Sequence, residues 1–112
     1  MKIQIKQAGI IHYINAEEII YCRAGRAYCT IFFLNNEKLT CSKSLAEISK
    51  LLNLPYFVRI HHSFLINLNF VVKQIRKPDK KLFVLMCNET LLPIARNRKH
   101  YFEQTMNKFL SK

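Results

Sequence analysis

Short apolar runs separated by polar turns dominate the first two-thirds of the chain. The segment KIQIK alternates strictly, so Ile3 and Ile5 share one face and the polar residues around them share the other. Further runs rich in β-branched and aromatic residues are IIHYIN, EIIYCR, AYCTIFFL and EKLTCS. The paired asparagines between the last two tolerate the positive φ of a tight turn. This pattern predicts a series of short β-strands that includes at least one hairpin.

In two segments the apolar residues recur at the spacing of a helix. After Ser44 the apolar residues fall on one helical face, and Ser44 and Glu47 have the spacing of a capping box. The sequence predicts a second helix with Asn97 as its N-cap, ending near Leu110. Its expected apolar face consists of Phe102, Met106, Phe109 and Leu110.

Between the two helices the pattern returns to strands. A turn at PDKK separates VVKQIRK from LFVLMC, and TLLPIA follows as a strand that Pro93 restricts to a sheet edge. The prediction for the whole chain is therefore a mostly β fold of antiparallel sheets with two short helices.

Composition adds a strong positive charge to this picture. Of the 112 residues half are hydrophobic, and 18 Lys and Arg stand against 7 Asp and Glu, a formal net charge of +11. A chain of this length and content builds one core, so we expect a single domain over residues 1–112. The charge favours a polyanionic partner, either nucleic acid or an anionic membrane surface.

Targeting and metal-binding signals are missing from the sequence. There is no signal-peptide core, and no segment approaches the roughly 18 apolar residues of a membrane span. We therefore expect a cytoplasmic protein. The four cysteines (Cys22, Cys29, Cys41 and Cys87) lack metal-ligand spacing. In a reducing compartment we expect them to be small buried hydrophobes, with no metal and no cofactor.

An apolar run over residues 57–71, FVRIHHSFLINLNFV, contains unusually many polar side chains. Arg59, His61, Ser63 and Asn67 are polar where simple alternation would not bury them all on one side. One interpretation is that they satisfy backbone groups at an irregular turn. The other is that part of the run is exposed and contacts a ligand.

This run resembles the signature of the LytTR DNA-binding domain, an Arg-x-His-x-Ser element followed by apolar residues and an Asn. Three other segments fall in the family's order and spacing: EEIIYCRAGRAYCTIFF, SLAEISKLL before YFVRIHHS, and LLPIARNRKHYFEQ. The resemblance covers nearly the whole chain. It implies an elongated arrangement of antiparallel β-sheets with little helix, and a transcription regulator whose loops enter successive major grooves of double-stranded DNA.

The resemblance also implies roles for individual residues. Around the turn, Arg59, His61 and Asn67 would form a structural polar network. His62 would face the major groove, where many relatives carry Arg, Lys or Asn, and this difference leaves its base preference open. The base contacts it implies are Arg26, Tyr28, His62 and Arg96. The phosphate contacts that we expect beside them are Arg23, Ser63, Arg98 and Lys99.

The expected partner is double-stranded DNA, at direct-repeat promoter sites, with a dimer on DNA or a separate regulatory protein as further partners. We expect no membrane and no small-molecule substrate. A free-standing regulator and the excised domain of a longer one are both compatible with the sequence. A second basic cluster surrounds the PDKK turn and is typical of a solvated hairpin tip, although it could touch backbone phosphate: Lys73, Arg76, Lys77, Lys80 and Lys81.

Two other functions compete with this interpretation. A small basic nuclease would use His61 or His62 as general acid or base. Adjacent residues of an extended segment point to opposite faces, so the two histidines could not act together on one atom. We therefore expect no enzyme. An RNA-binding or membrane-surface module would use the aromatic residues or the charge, but most aromatics occupy core-type positions.

The charge of the chain generates the first testable prediction. If several loops neutralise DNA phosphates, log K for duplex DNA should fall linearly with log salt, by about 0.9 for each phosphate contacted. A fluorescence-anisotropy titration at several salt concentrations measures this slope. An affinity that stays constant from low to physiological salt would contradict the DNA-binding interpretation.

Overall fold

A computed structural model describes residues 1–111 and has principal extents of 47 × 33 × 23 Å. Strands account for 46% of the chain, and helices account for 25% when the 3₁₀ turns are included. Within the described residues the strands form three antiparallel sheets, accompanied by two α-helices. The predicted mostly β class and its elongated form are confirmed.

The N-terminal sheet is a hairpin of two strands, β1 (Lys2–Gln7) and β2 (Ile10–Asn15). A 3₁₀ turn over Ala16–Glu18 leads from this hairpin into the central sheet. As the alternation predicts, Ile3 and Ile5 are buried and the lysines beside them are exposed.

The central sheet has five strands in the order β5-β4-β3-β7-β6. Their bounds are β3 (Ile19–Ala24), β4 (Cys29–Phe33), β5 (Lys38–Cys41), β6 (Phe57–His61) and β7 (Phe64–Asn67). Residues paired across the sheet share a face, and successive residues alternate. Cys22 and its partner Leu65 belong to one core cluster, whereas Val58 and its partner Ile66 belong to another. The central sheet therefore separates two cores.

The third sheet packs in the second core together with the C-terminal helix. Its order is β10-β9-β8, with β8 (Val71–Arg76), β9 (Leu82–Met86) and β10 (Leu91–Ile94). The strand that contains Pro93 lies at the sheet edge as predicted, where a missing N–H costs no ladder hydrogen bond.

Helix α1 (Leu45–Leu51) confirms the predicted capping box. The Glu47 amide donates to Ser44 Oγ at 3.1 Å, and the Ser44 amide donates to a Glu47 carboxylate oxygen at 3.0 Å. Leu45, Ile48 and Leu52 are buried beneath the helix.

Helix α2 (Lys99–Leu110) begins one residue later than the sequence predicts, with Arg98 at its N-cap. Asn97 is not its N-cap, because a 3₁₀ turn over Arg96–Arg98 comes first and is closed by the Arg98 amide donating to the Ala95 carbonyl at 2.8 Å. The predicted apolar face was also wrong at Leu110, which is 68% exposed. At 100° per residue, Leu110 lies about 80° around the helix from the buried Phe102.

Three of the four cysteines are buried as expected: Cys22, Cys29 and Cys41. Cys87 is exposed, and the prediction was wrong there. It follows β9 at the turn before β10, where its amide donates to the Phe70 carbonyl at 2.9 Å and its side chain is exposed.

Over residues 1–111, neither helix has the length and apolar character needed to cross a membrane. The same residues contain no group of three His, Cys, Asp or Glu side chains arranged to hold a metal ion.

Candidate nucleic-acid interface

The loop between β3 and β4, here called the first connection, lies directly beside the turn between β6 and β7, here called the second connection. The Ala24 amide donates to the Ser63 carbonyl at 2.9 Å, which extends the β3–β7 pairing into the two connections. The Gly25 amide donates to the Tyr28 carbonyl at 2.7 Å and closes the loop. A Cβ on residue 25 would lie 3.1 Å from both that carbonyl and the Tyr28 ring, so a glycine suits this close approach.

Arg59 and His61 stabilise the turn between β6 and β7 through hydrogen bonds from their side chains to its backbone. The Arg59 guanidinium donates from Nη2 to the His62 carbonyl at 2.7 Å and from Nε to the His61 carbonyl at 3.3 Å. His61 Nδ1 accepts the Ser63 amide at 3.0 Å, and its ring packs 5.6 Å from that of Phe64. These contacts fix the backbone of the turn and leave His62 exposed at its tip.

Asn67 anchors the other end of β7. Its side chain is fully buried, and Nδ2 donates to the Ile19 carbonyl at 2.9 Å. Oδ1 accepts both the backbone amide of Asn69, at 2.9 Å, and its side-chain amide, at 3.0 Å. The buried amide therefore has partners on both atoms, as a polar group in a core requires.

The segment from β10 to α2, here called the third connection, lies against β6. The Ala95 amide donates to the Ile60 carbonyl at 2.8 Å, one residue before the turn that carries His62. Burial lowers the pKa of the Arg59 guanidinium, and the positive charge of nearby Arg98 lowers it further. The third connection thus brings a like charge toward the second, which is unfavourable unless an anion lies between them.

A cleft of about 380 Å³, here called the loop cleft, opens between the first two connections and the β5–α1 connection. One carboxylate, that of Glu47, lines it together with three cations and a histidine: Arg26, Lys43, Arg59 and His62. Tyr28 lines it as well and is 52% exposed. The structure therefore brings Arg26, Tyr28 and His62 together, although Tyr28 and His62 are 34 positions apart in the sequence.

A second cleft, of about 320 Å³, lies between the third connection and the β8–β9 hairpin and is here called the hairpin cleft. Arg96 and Lys99 line it, opposite three cations of the hairpin: Arg76, Lys80 and Lys81. Arg98 is half-buried and does not line this cleft; its positive charge lowers the pKa of Arg59.

Not every residue singled out in the sequence lies in a cleft. Arg23 is exposed, and its guanidinium packs 5.1 Å from the centre of the Phe32 ring on the sheet surface. Ser63 is half-buried, and its backbone links the first two connections. Lys43 was missed, because only the pairing of Cys29 with Cys41 brings the β5–α1 connection beside Gly25.

The sequence model of the LytTr DNA-binding domain family matches residues 9–107 of the chain. The chain belongs to the LytTr DNA-binding domain family. Among solved structures, it is similar to the LytTr DNA-binding domain of a Bacillus cereus protein described as a methyl-accepting/DNA response regulator. The two share 20% identity and a TM-score of 0.79, over 94% of this chain and 95% of the other. No curated protein matches the chain.

Membership confirms the family that the sequence signature indicates. The LytTr family is a family of DNA-binding domains in transcription regulators and not an enzyme family. For this LytTr domain, double-stranded DNA is accordingly the supported partner.

The two adjacent histidines generate the second prediction. His61→Ala leaves the Ser63 amide without its acceptor, so the free energy of unfolding should fall by about 1–3 kcal/mol. His62→Ala removes only an exposed side chain and should leave the melting temperature close to that of the wild type while weakening binding to the specific site. Urea denaturation and DNA titrations of both variants measure these effects. A silent His61→Ala and an unfolded His62→Ala would reverse the assignment.

Proposed function

We propose that this LytTr domain is a sequence-specific transcription regulator whose connections enter successive major grooves of duplex DNA. The observation that carries the proposal is the backbone link among the three connections. The Ala24 amide donates a hydrogen bond to the Ser63 carbonyl at 2.9 Å, and the Ala95 amide donates one to the Ile60 carbonyl at 2.8 Å. Three loops from distant parts of the sequence therefore lie at neighbouring strand ends. Groups fixed in this way can meet a rigid duplex without ordering the backbone first.

The electrostatics of the chain support the same proposal. Within residues 1–111, the single ion pair joins the N-terminal amine to Glu17. Glu47 lines the loop cleft together with Lys43, but in this part of the chain no lysine or arginine forms an ion pair with a carboxylate. Their charge is therefore available to phosphates. Contact with two successive major grooves requires a chain longer than the roughly 34 Å pitch of B-DNA, and the 47 Å long axis meets that requirement.

In this proposal the base contacts are Arg26, Tyr28, His62 and Arg96. All four side chains are exposed. An arginine guanidinium matches the O6 and N7 acceptors of guanine in a bidentate way, whereas a histidine offers one suitably aimed ring nitrogen. The arginines would therefore supply more base discrimination than His62.

The phosphate contacts in this proposal are Arg23, Ser63, Arg98 and Lys99. They flank the proposed base contacts in the sequence, where a residue can fix orientation without carrying sequence information. Arg23 can leave the Phe32 ring at small cost, because such a contact is worth only about 0.5–1 kcal/mol at an exposed site.

We further propose direct-repeat promoter sites as targets, bound by a dimer on DNA or together with a separate regulatory protein, in the cytoplasm. In this proposal residues 1–112 act as one domain, without a cofactor, a small-molecule substrate or a membrane. An RNA-binding module is the alternative, and competition with single-stranded RNA tests it. Stronger binding to the RNA than to the selected duplex would favour the alternative.

Arg96 generates the third prediction. Arg96→Ala should weaken binding to the specific site by roughly 1–3 kcal/mol and relax the preference at one base pair, because a bidentate contact to guanine is lost. Lys99→Ala is the matched control. It should weaken specific and random duplexes about equally and reduce the salt slope by about one unit.

Both variants are titrated against the selected site and a random duplex at several salt concentrations. Equal weakening of both duplexes by Arg96→Ala would make Arg96 a phosphate contact and would move base recognition to other residues.

A further inference from the structure

Among the described residues, the hairpin cleft is lined by five cations and by no acidic side chain. Arg96 and Lys99 face Arg76, Lys80 and Lys81 across about 320 Å³. We propose that the tip of the β8–β9 hairpin is a phosphate-binding element, and that a DNA backbone phosphate binds in this cleft beside the base pair that Arg96 contacts. The proposal rests on the proposed function and adds three residues of the hairpin to the interface.

Strand register determines which hairpin cations face the cleft. Arg76 pairs with Leu82, and Leu82 pairs with Ile94, so these three side chains form one row across the sheet. The neighbouring row on the same face contains Val84 and Leu92, which are buried in the second core. Arg76 therefore lies on the core face of the sheet, just beyond the last core residues.

The hairpin turn holds its two lysines in a defined geometry. The Lys77 amide donates to the Lys81 carbonyl at 2.9 Å, and the Lys80 amide donates to the Lys77 carbonyl at 2.8 Å. Lys80 has a φ of 71°, a left-handed conformation that a lysine seldom adopts. Both Lys80 and Lys81 line the cleft.

The nearby carboxylate does not neutralise the cluster. Asp79 accepts the Lys81 backbone amide at 3.1 Å, so it completes the turn and pairs with no lysine side chain. Five like charges around a small opening repel one another, and an anion relieves that repulsion. A phosphodiester fits the chemistry, since arginine and lysine both bind its oxygens and each contact releases a counterion from DNA.

The opposite face of the same hairpin provides a matched control. Lys77 Nζ lies 4.7 Å from the centre of the Phe83 ring, and Lys73 pairs with Leu85. Phe83 and Leu85 alternate with the buried Val84 and Met86, so both lysines lie on the outer face of the sheet. Removing these two charges changes the net charge as much as removing Lys80 and Lys81.

The experiment compares two double variants of the full chain with the wild type. The cleft variant is Lys80→Asn with Lys81→Gln, where asparagine tolerates the left-handed backbone of residue 80. The control variant is Lys73→Gln with Lys77→Gln. Each is titrated at several salt concentrations with a random-sequence duplex, with the site selected by the wild type, and with vesicles of equal parts phosphatidylglycerol and phosphatidylcholine. Thermal unfolding verifies that both variants fold.

The cleft variant should lose roughly one unit of salt slope on both duplexes, while the control variant keeps the wild-type slope. Equal slopes for the two double variants, with wild-type binding intact, would overturn the phosphate role and leave the proposed function standing. A selective loss of vesicle binding in the cleft variant would also overturn it and assign the cleft to a lipid surface. If the wild type bound no duplex, the proposed function and this inference would fail together.

Discussion

The hydrogen bond from the Ala95 amide to the Ile60 carbonyl joins the C-terminal part of the chain to the central sheet, and the rest of the proposed interface depends on it. Strand β6 lies at the edge of that sheet and has one side free for this contact. On its other side β6 pairs with β7, and β7 pairs with β3. Three connections far apart in sequence therefore end at adjacent strands. Loops are mobile by default, so such links decide whether three loops act as one surface.

The polar side chains of residues 57–71 satisfy the backbone groups that the turn and its flanking strands leave unpaired. A tight turn leaves carbonyls without strand partners, and Arg59 satisfies those of His61 and His62. The His61 ring accepts the hydrogen bond of the Ser63 amide, and the Asn67 side-chain amide donates one to the Ile19 carbonyl. The run is polar in a core because its backbone is irregular there. The same irregularity exposes His62.

The sequence predicted the strands, the presence of both helices and the family, because each of these depends on residues close together in the chain. Alternation at Ile3 and Ile5 and the Ser44 capping box are local and were predicted correctly. The start of α2 was missed, because the Ala95 contact with β6 favours a 3₁₀ turn that no local signal at Asn97 indicates. Lys43 was missed for the same reason. Its position beside Gly25 depends on strand pairing between distant residues.

The central claim is that the three connections form one surface that binds duplex DNA. The most direct test follows the backbone amides of the labelled chain by NMR as a duplex is added. The account predicts that amides of residues 24–28, 61–63 and 95–99 shift together with one affinity, while those of the β1–β2 hairpin stay unchanged. Shifts confined to one connection, or centred on the N-terminal hairpin, would contradict it.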